Sequence, residues 1–180
     1  MATILNLRRR IQAAQNVSKT TRAMQMIAAS KLKRAQDATL ASRPYVEKLT
    51  SVSEHIRSLA QEEFSHEYLK DRKETGKTLL LVFSPDKGLC GGLITNLIRM
   101  LLEYKSNEYL LLTVGKKVEN YVVYSKKELV ASFPFGNTLP TFDIVYPIAT
   151  IIEDYFLNKK VDRVEILSTG FESIFLQKPR

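Results

Sequence analysis

With 180 residues, 27 lysines and arginines against 19 aspartates and glutamates, one cysteine and no tryptophan, the chain has room for one ordinary domain, or a small domain and an appendage. A lone Cys90 excludes an intrachain disulfide and a cysteine-based zinc site, and the two scattered histidines, His55 and His66, make no ligand cluster. No apolar run approaches the roughly 18 residues needed to span a bilayer.

The first residues read as part of the fold, because Arg8, Arg9 and Arg10 interrupt the apolar stretch that a secretory signal requires. Charge is unevenly distributed. Residues 1–36 hold Arg8, Arg9, Arg10, Lys19, Arg22, Lys31, Lys33 and Arg34 and no acid, which leaves 19 basic and 19 acidic residues in the other 144. The whole excess of +8 therefore sits on one segment. Such a strip attracts an anionic partner: nucleic acid, a lipid surface or an acidic protein face.

From Val17 onward, positions four and three apart read Val17, Thr21, Met24, Ala28, Lys31, Ala35, Ala38, Ser42, Tyr45, Leu49, Val52, Ile56 and Leu59, a heptad seam. Ile4, Leu7, Ile11 and Ala14 extend it upstream after one slip in phase. Residues 1–60 are expected to form one shaft helix, kinked near Pro44 but not stopped there, since the seam keeps its phase across the proline. Residues 4–59 would span about 84 Å at 1.5 Å per residue, while a compact body of the other 120 residues would have a radius of gyration of about 14 Å. Much of the helix is then expected to project, with small seam residues from Ala28 to Ser42 accepting a closely packed partner and large ones from Tyr45 to Leu59 facing the body.

A polar connector follows at 61–76, and the pattern then changes. Leu79–Phe83 is a short apolar strand, followed by the loop Ser84-Pro85-Asp86-Lys87-Gly88-Leu89-Cys90-Gly91-Gly92 and a helix carrying Leu93, Leu97, Met100 and Leu101. Strands at 109–114, 129–133 and 163–168 alternate with helices at 116–126 and within 142–157, with Pro147 expected in the first turn of the latter. Continuous apolar strands separated by helices indicate an α/β body over 77–180 with a mainly parallel sheet covered on both faces.

The body shows no clear chemistry. Gly88, Gly91 and Gly92 do not make G-x-G-x-x-G, and Lys87 precedes the glycines instead of following them, so a tight strand-to-helix turn is the better reading than a phosphate cradle. Cys90 near a helix N-terminus lacks an evident base, and Asp86 reads as either a turn residue or an acid-base group. Ser84 with His55 or His66 lacks the G-x-S-x-G elbow of a hydrolase. No aromatic precedes Tyr45, which argues against stacking on nucleic acid. The alternatives that remain are a basic coiled-coil nucleic-acid binder and a nucleotide-binding α/β protein.

The wording of the sequence closely resembles one family, the gamma subunit of the F-type ATP synthase. The matching stretches are Arg8-Arg9-Arg10-Ile11, the run Ser18-Lys19-Thr20-Thr21-Arg22-Ala23-Met24-Gln25-Met26-Ile27-Ala28-Ala29-Ser30-Lys31-Leu32, Arg43-Pro44-Tyr45, Asp86-Lys87-Gly88-Leu89-Cys90-Gly91-Gly92, Val114-Gly115-Lys116-Lys117 and Gln177-Lys178-Pro179.

The resemblance implies a non-catalytic rotor subunit without cofactor or metal. Its N-terminal helix would pair with a C-terminal helix to form a shaft through a ring of alpha and beta subunits. A Rossmann-like body would bind the epsilon subunit and the membrane c-ring. It further implies that Lys19, Arg22, Met24, Lys31, Lys33 and Arg34, with Asp86, Lys87 and Cys90 of the loop, meet the ring, while Val17, Thr21, Ala28, Ala35, Tyr45, Leu49, Val52 and Ile56 form the coiled-coil seam. Met24 carries two readings, ring contact and seam burial. Ending at Arg180, the sequence is expected to be the N-terminal portion of such a subunit, with an incomplete body. The single cysteine argues against the plastid form, and a start at Met1 suits the cytoplasmic face of a bacterial plasma membrane.

Overall fold

The structure, a computed structural model, describes residues 3–63, 66–69, 72, 75–104, 108–136, 139–173 and 176–180. The chain divides into two compact units, residues 1–63 and 64–180.

The first unit is a single helix, α1 (Ile4–Glu63). It runs through Pro44 without a break, although position 44 has no N–H to offer the carbonyl of Leu40. Hydroxyls occupy the turns just before it: Thr39 Oγ1 donates to the Ala35 carbonyl at 2.8 Å and Ser42 Oγ to the Thr39 carbonyl at 3.1 Å. Its apolar side chains stay exposed, Val17 at 64% and Tyr45 at 70%, so packing within the unit does not hold this helix. The helix also takes the first three residues of the expected connector. Most of the rest of that connector lies outside the described residues, apart from a 3-10 turn at Glu67–Leu69 and residues 66, 72, 75 and 76.

The second unit contains β1 (Thr78–Phe83), α2 (Leu93–Glu103), β2 (Tyr109–Val114), α3 (Lys116–Tyr124), β3 (Leu129–Phe133), α4 (Phe142–Leu157), β4 (Arg163–Leu167), β5 (Thr169–Phe171) and β6 (Gln177–Pro179). Four strands form an all-parallel sheet in the order β3-β2-β1-β4, with Leu80 of β1 opposite Leu111 of β2 and Glu165 of β4. Alternate strand residues face opposite ways, which sorts the core into two layers. Leu80, Val82 and Leu111 pack on Leu97 and Leu101 of α2 and Val118 and Val122 of α3. Leu79, Leu81, Leu110, Leu112 and Val114 pack on Ile148 of α4 and on Val161. This is why β1 and β2 read as unbroken apolar runs: both of their faces are covered. Truncating a fully buried leucine such as Leu112 to alanine in a site of this kind costs about 2–5 kcal/mol.

Three details differ from the sequence reading. Pro147 is the sixth residue of α4, beyond the first turn, because Thr141 is still extended (φ −101, ψ 163) and the helix begins directly after it at Phe142. Helix α3 stops at Tyr124, short of 126, where the Ser125 N–H donates to the Tyr121 carbonyl, and Lys126, which donates to the Val123 carbonyl, turns left-handed (φ 53). After Leu167, Ser168 exchanges backbone bonds with Arg180 (2.9 and 2.8 Å), which starts the small antiparallel pair β5–β6 that the periodicity did not indicate.

The polar segment that precedes β1 is tied to the far side of the sheet. Arg72 donates to the Phe156 carbonyl at the end of α4, pairs with Glu67, and lies over the Phe156 ring, 4.4 Å from its centroid. The Asp162 carboxylate accepts from the N–H groups of Thr75 and Gly76 at 2.7 to 3.1 Å. These contacts fix where β1 enters.

The exits of β1 and β2 approach most closely at Gly115 (φ 107), where an added Cβ would lie 1.8 Å from the Ser84 carbonyl oxygen. That neighbour is backbone and cannot move aside. Gly115→Ala should therefore lose on the order of 3 kcal/mol or more of stability in a urea melt. A loss below about 1 kcal/mol would show that the two exits are not locked together.

Candidate functional site

The residues singled out from the sequence fall on two surfaces, one in each unit. On α1, Lys19, Arg22, Lys31, Lys33 and Arg34 are all exposed. At about 100° per residue, Lys19, Arg22 and Lys33 fall on the side opposite the line through Val17, Ala28 and Ala35, while Lys31 lies close to that line and Arg34 to one flank. The seam residues Val17, Thr21, Ala28, Tyr45, Leu49, Val52 and Ile56 are exposed and Ala35 is half-buried. Met24 is exposed on the same stripe. The helix thus presents an apolar and small-residue line, with Lys19, Arg22 and Lys33 on the side away from it and Lys31 and Arg34 nearer to it.

The charges on α1 are not arranged to stabilise the helix itself. Its first turn has no acid and its last turn no base, so neither end takes up the stabilisation that the helix dipole offers. Arg43 pairs with Glu47 one turn on at 3.2 Å, with both side chains largely exposed, an arrangement that contributes only a few tenths of a kcal/mol.

The second surface is the loop from β1 to α2. Its base is a carboxylate latch. Asp86 Oδ1 accepts from the N–H groups of Lys116 (2.9 Å) and Phe135 (3.2 Å), and Oδ2 from Gly136 (2.8 Å), so one side chain ties the exit of β1 to the exits of β2 and β3. Ser84 lies beneath it, buried. Its hydroxyl donates to the Gly115 carbonyl (3.0 Å) and accepts from the Val118 N–H (3.2 Å), which leaves no role as a nucleophile. Lys117 lies over Gly88, with Cε and Nζ each 3.8 Å from where a Cβ would be. Gly91 is left-handed (φ 60) and Gly92 precedes α2, so these glycines make a tight turn. Lys87 is exposed, Cys90 is half-buried, and Leu89 is fully exposed with a left-handed backbone (φ 61).

This geometry bears on the alternatives read from the sequence. A phosphate at the N-terminus of α3 would meet the Asp86 carboxylate already bound to the first helical N–H. The open cleft of about 370 Å³ lined by Met100, Glu103, Tyr104, Glu108 and Tyr109 adjoins the entry of β2, opposite the strand ends where open α/β sheets bind nucleotides. Burial, followed by the charge of Glu165, pushes the phenols of Tyr104 and Tyr109 up. Among the described residues, no group of three His, Cys, Asp or Glu side chains could hold a metal ion. No helix among them is long and apolar enough to cross a membrane.

The Asp86 latch and the exposure of Leu89 were not readable in advance. The Ser-Pro-Asp-Lys-Gly string indicates a turn, but the partners of Asp86 lie 30 to 50 residues further along the chain. A leucine between glycines in a polar loop is the one local sign of the second feature.

The latch has a defined pH dependence. Burial raises the Asp86 carboxyl, but the N–H groups of Gly136, Lys116 and Phe135 and the charge of Lys116 outweigh it and hold it below its ordinary 3.8. Because the folded value lies below the unfolded one, the stabilisation is complete above about pH 4 and is lost as pH falls through the folded value. Asp86→Asn should cost about 1.5–3 kcal/mol near neutrality, and the gap from wild type should close below pH 3.8. Urea midpoints measured down that range check this, and a gap that stays constant with pH would remove the carboxylate from the latch.

Comparison with known proteins places the chain. A family model described as ATP synthase matches residues 3–180. Relatives named ATP synthase gamma chain include those of Dehalococcoides mccartyi, 38% identical over 99% of this chain and 64% of the relative, and of Nostoc sp., 34% identical over 99% and 59%. The chain thus spans less than two thirds of the length of these relatives. A solved central stalk with c-ring of the Tetrahymena thermophila mitochondrial ATP synthase is similar in fold, with a TM-score of 0.69 and 23% identity over 89% of this chain and 70% of that one. A Euglena gracilis mitochondrial ATP synthase rotor is likewise similar, with a TM-score of 0.62 and 15% identity over 96% and 59%. With the parallel sheet, the long basic helix and these matches together, the chain belongs to the ATP synthase family, in the part that its curated relatives carry as the gamma chain.

Proposed function

We propose that the chain acts as part of the central-stalk rotor of a proton-translocating ATP synthase. In this reading it couples rotation driven by proton flow to ATP synthesis in a ring of alpha and beta subunits and makes or breaks no bond itself. The observation that carries the reading is α1: a helix of 60 residues whose apolar stripe is exposed and whose N-terminal half is basic, in a chain that matches the family over its length. Such a helix needs an external cover and an acidic counterpart, and a rotor inside a ring has both.

The mechanism follows from asymmetry. A rod without threefold symmetry touches each of three catalytic sites differently and biases each toward a different conformation. Differences of a few kcal/mol between states suffice to shift a two-state site, and the coupling is reciprocal, so hydrolysis drives the rod backwards.

Lys19, Arg22, Lys31, Lys33 and Arg34 meet acidic segments of the beta subunits, where charge attracts over a Debye length of about 8 Å without demanding one rigid geometry. Met24 supplies an adaptable apolar contact or seam packing. Val17, Thr21, Ala28, Ala35, Tyr45, Leu49, Val52 and Ile56 take the antiparallel partner helix that the family resemblance implies. The loop with Lys87 and Cys90 faces the lower rim of the ring, with Asp86 holding its base. The body, residues 77–180 in this reading, takes the epsilon subunit and the c-ring, and the whole sits peripherally on the cytoplasmic face of a bacterial plasma membrane.

Co-purification with alpha and beta subunits tests the reading, and complete failure to associate would refute it. In assembled enzyme, Arg22→Glu with Arg34→Glu should reduce coupling between ATP hydrolysis and proton pumping more than it reduces assembly. Unchanged coupling in vesicles carrying the variant would remove these residues from the ring contact.

A further inference from the structure

The exposed stripe of α1 is close to its own mirror image along the helix. Its positions alternate spacings of four and three, so a second copy running the other way presents the same spacings to it. Centred between Ala35 and Ala38, this antiparallel register sets Ala35 of one copy against Ala38 of the other, Ala28 against Tyr45 and Met24 against Leu49. Small residues then meet at the centre, where the two backbones can approach closely, and further out a large side chain fills the space over a small one.

One polar group discriminates between the two directions of pairing. Lys31 falls in the seam, and in the antiparallel register it faces Ser42, whose hydroxyl donates to the Thr39 carbonyl and keeps a lone pair to accept from an ammonium group. In a parallel pair Lys31 would face its own copy, two ammonium groups in one layer of the seam. The charge of the whole helix points the same way. Residues 1–36 hold eight bases and no acid, whereas residues 37–63 hold Asp37, Glu47, Glu54, Glu62 and Glu63 against three bases. Parallel pairing lays the two basic halves side by side, and antiparallel pairing lays each against the half with excess acid.

We propose that α1 docks on α1 of a second copy of this chain, antiparallel and in this register, when no other helix covers its stripe. The inference does not rest on the rotor reading, but it bears on it. The stripe that pairs here is the one assigned there to a partner helix, so the two covers exclude each other and the self-pair must open before the stalk forms. Mass action makes the self-pair concentration-dependent, so the dilute chain carries the uncovered helix.

Sedimentation equilibrium of the whole chain from about 1 to 200 µM reads the pairing in the range where modest interfaces associate, under reducing conditions so that Cys90 cannot link copies. The mass should rise from 20.5 kDa toward twice that value. Ala35→Glu keeps a good helix former but puts a long charged side chain at the closest approach. It should weaken association about tenfold or more, while the melting temperature of the second unit holds, since position 35 lies outside it. Disulfide trapping reads the direction. In a Cys90→Ser background, Val17→Cys and Ile56→Cys chains mixed in a glutathione buffer should give mainly the mixed disulfide, because the register sets 17 opposite 56. A mass that stays at 20.5 kDa throughout, or Ala35→Glu pairing as tightly as wild type, would overturn the proposal and leave the rotor reading intact. Predominance of the two symmetric disulfides would overturn it as well, since the pair would then be parallel. If the self-pair forms as described and the chain fails to associate with alpha and beta subunits, the inference stands and the rotor reading falls.

Discussion

The uncovered stripe of α1 is the constraint from which the rest follows. Sixty residues of helix with exposed valine, leucine, isoleucine and tyrosine gain little from packing within their own unit. Intrinsic propensity is a weak source of helix stability, a proline sits in the middle, and neither terminal turn carries the charge that the dipole favours. A helix of this kind is stabilised from outside. That requirement, added to a segment that carries every unit of the chain's excess charge, turns a question about folding into one about partners.

The body solves a different problem. Its parallel sheet is closed on both faces, by α2 and α3 on one side and α4 on the other. Where a nucleotide phosphate would approach the first N–H of α3, Asp86 is already bound. The same carboxylate joins three strand exits, and the backbone contact at Gly115 locks two of them. The loop that could have been a nucleotide cradle is instead pinned at its base by Asp86.

Much of this was legible in the residues. The heptad positions from Val17 to Leu59 give α1 its length and phase, and the apolar runs at 79–83 and 109–114 give the buried central strands, because a sheet covered on both faces leaves no polar alternation to confuse the pattern. What escaped was set by distant partners. Helix α4 begins where the backbone leaves its extended form at Thr141, so Pro147 lies one turn deeper than its own preference suggests. The β5–β6 pair has three residues per strand, too few for periodicity to register, and depends on Ser168 meeting Arg180. The latch at Asp86 depends on Phe135 and Gly136, which no local motif links to a Ser-Pro-Asp turn. The basic residues of α1 were identified by type and spacing, while the counterparts proposed for them belong to other chains.

Amide hydrogen exchange along α1, with and without alpha and beta subunits, addresses the central claim most directly. Alone, the amides of residues 4–63 should exchange within about tenfold of an isolated helix, because nothing in the unit covers the stripe. In the complex they should slow by about a hundredfold or more, on the basic N-terminal half as well as the seam. Equal exchange in the two states would contradict the account, since it would mean that the helix neither needs nor finds a partner in the ring.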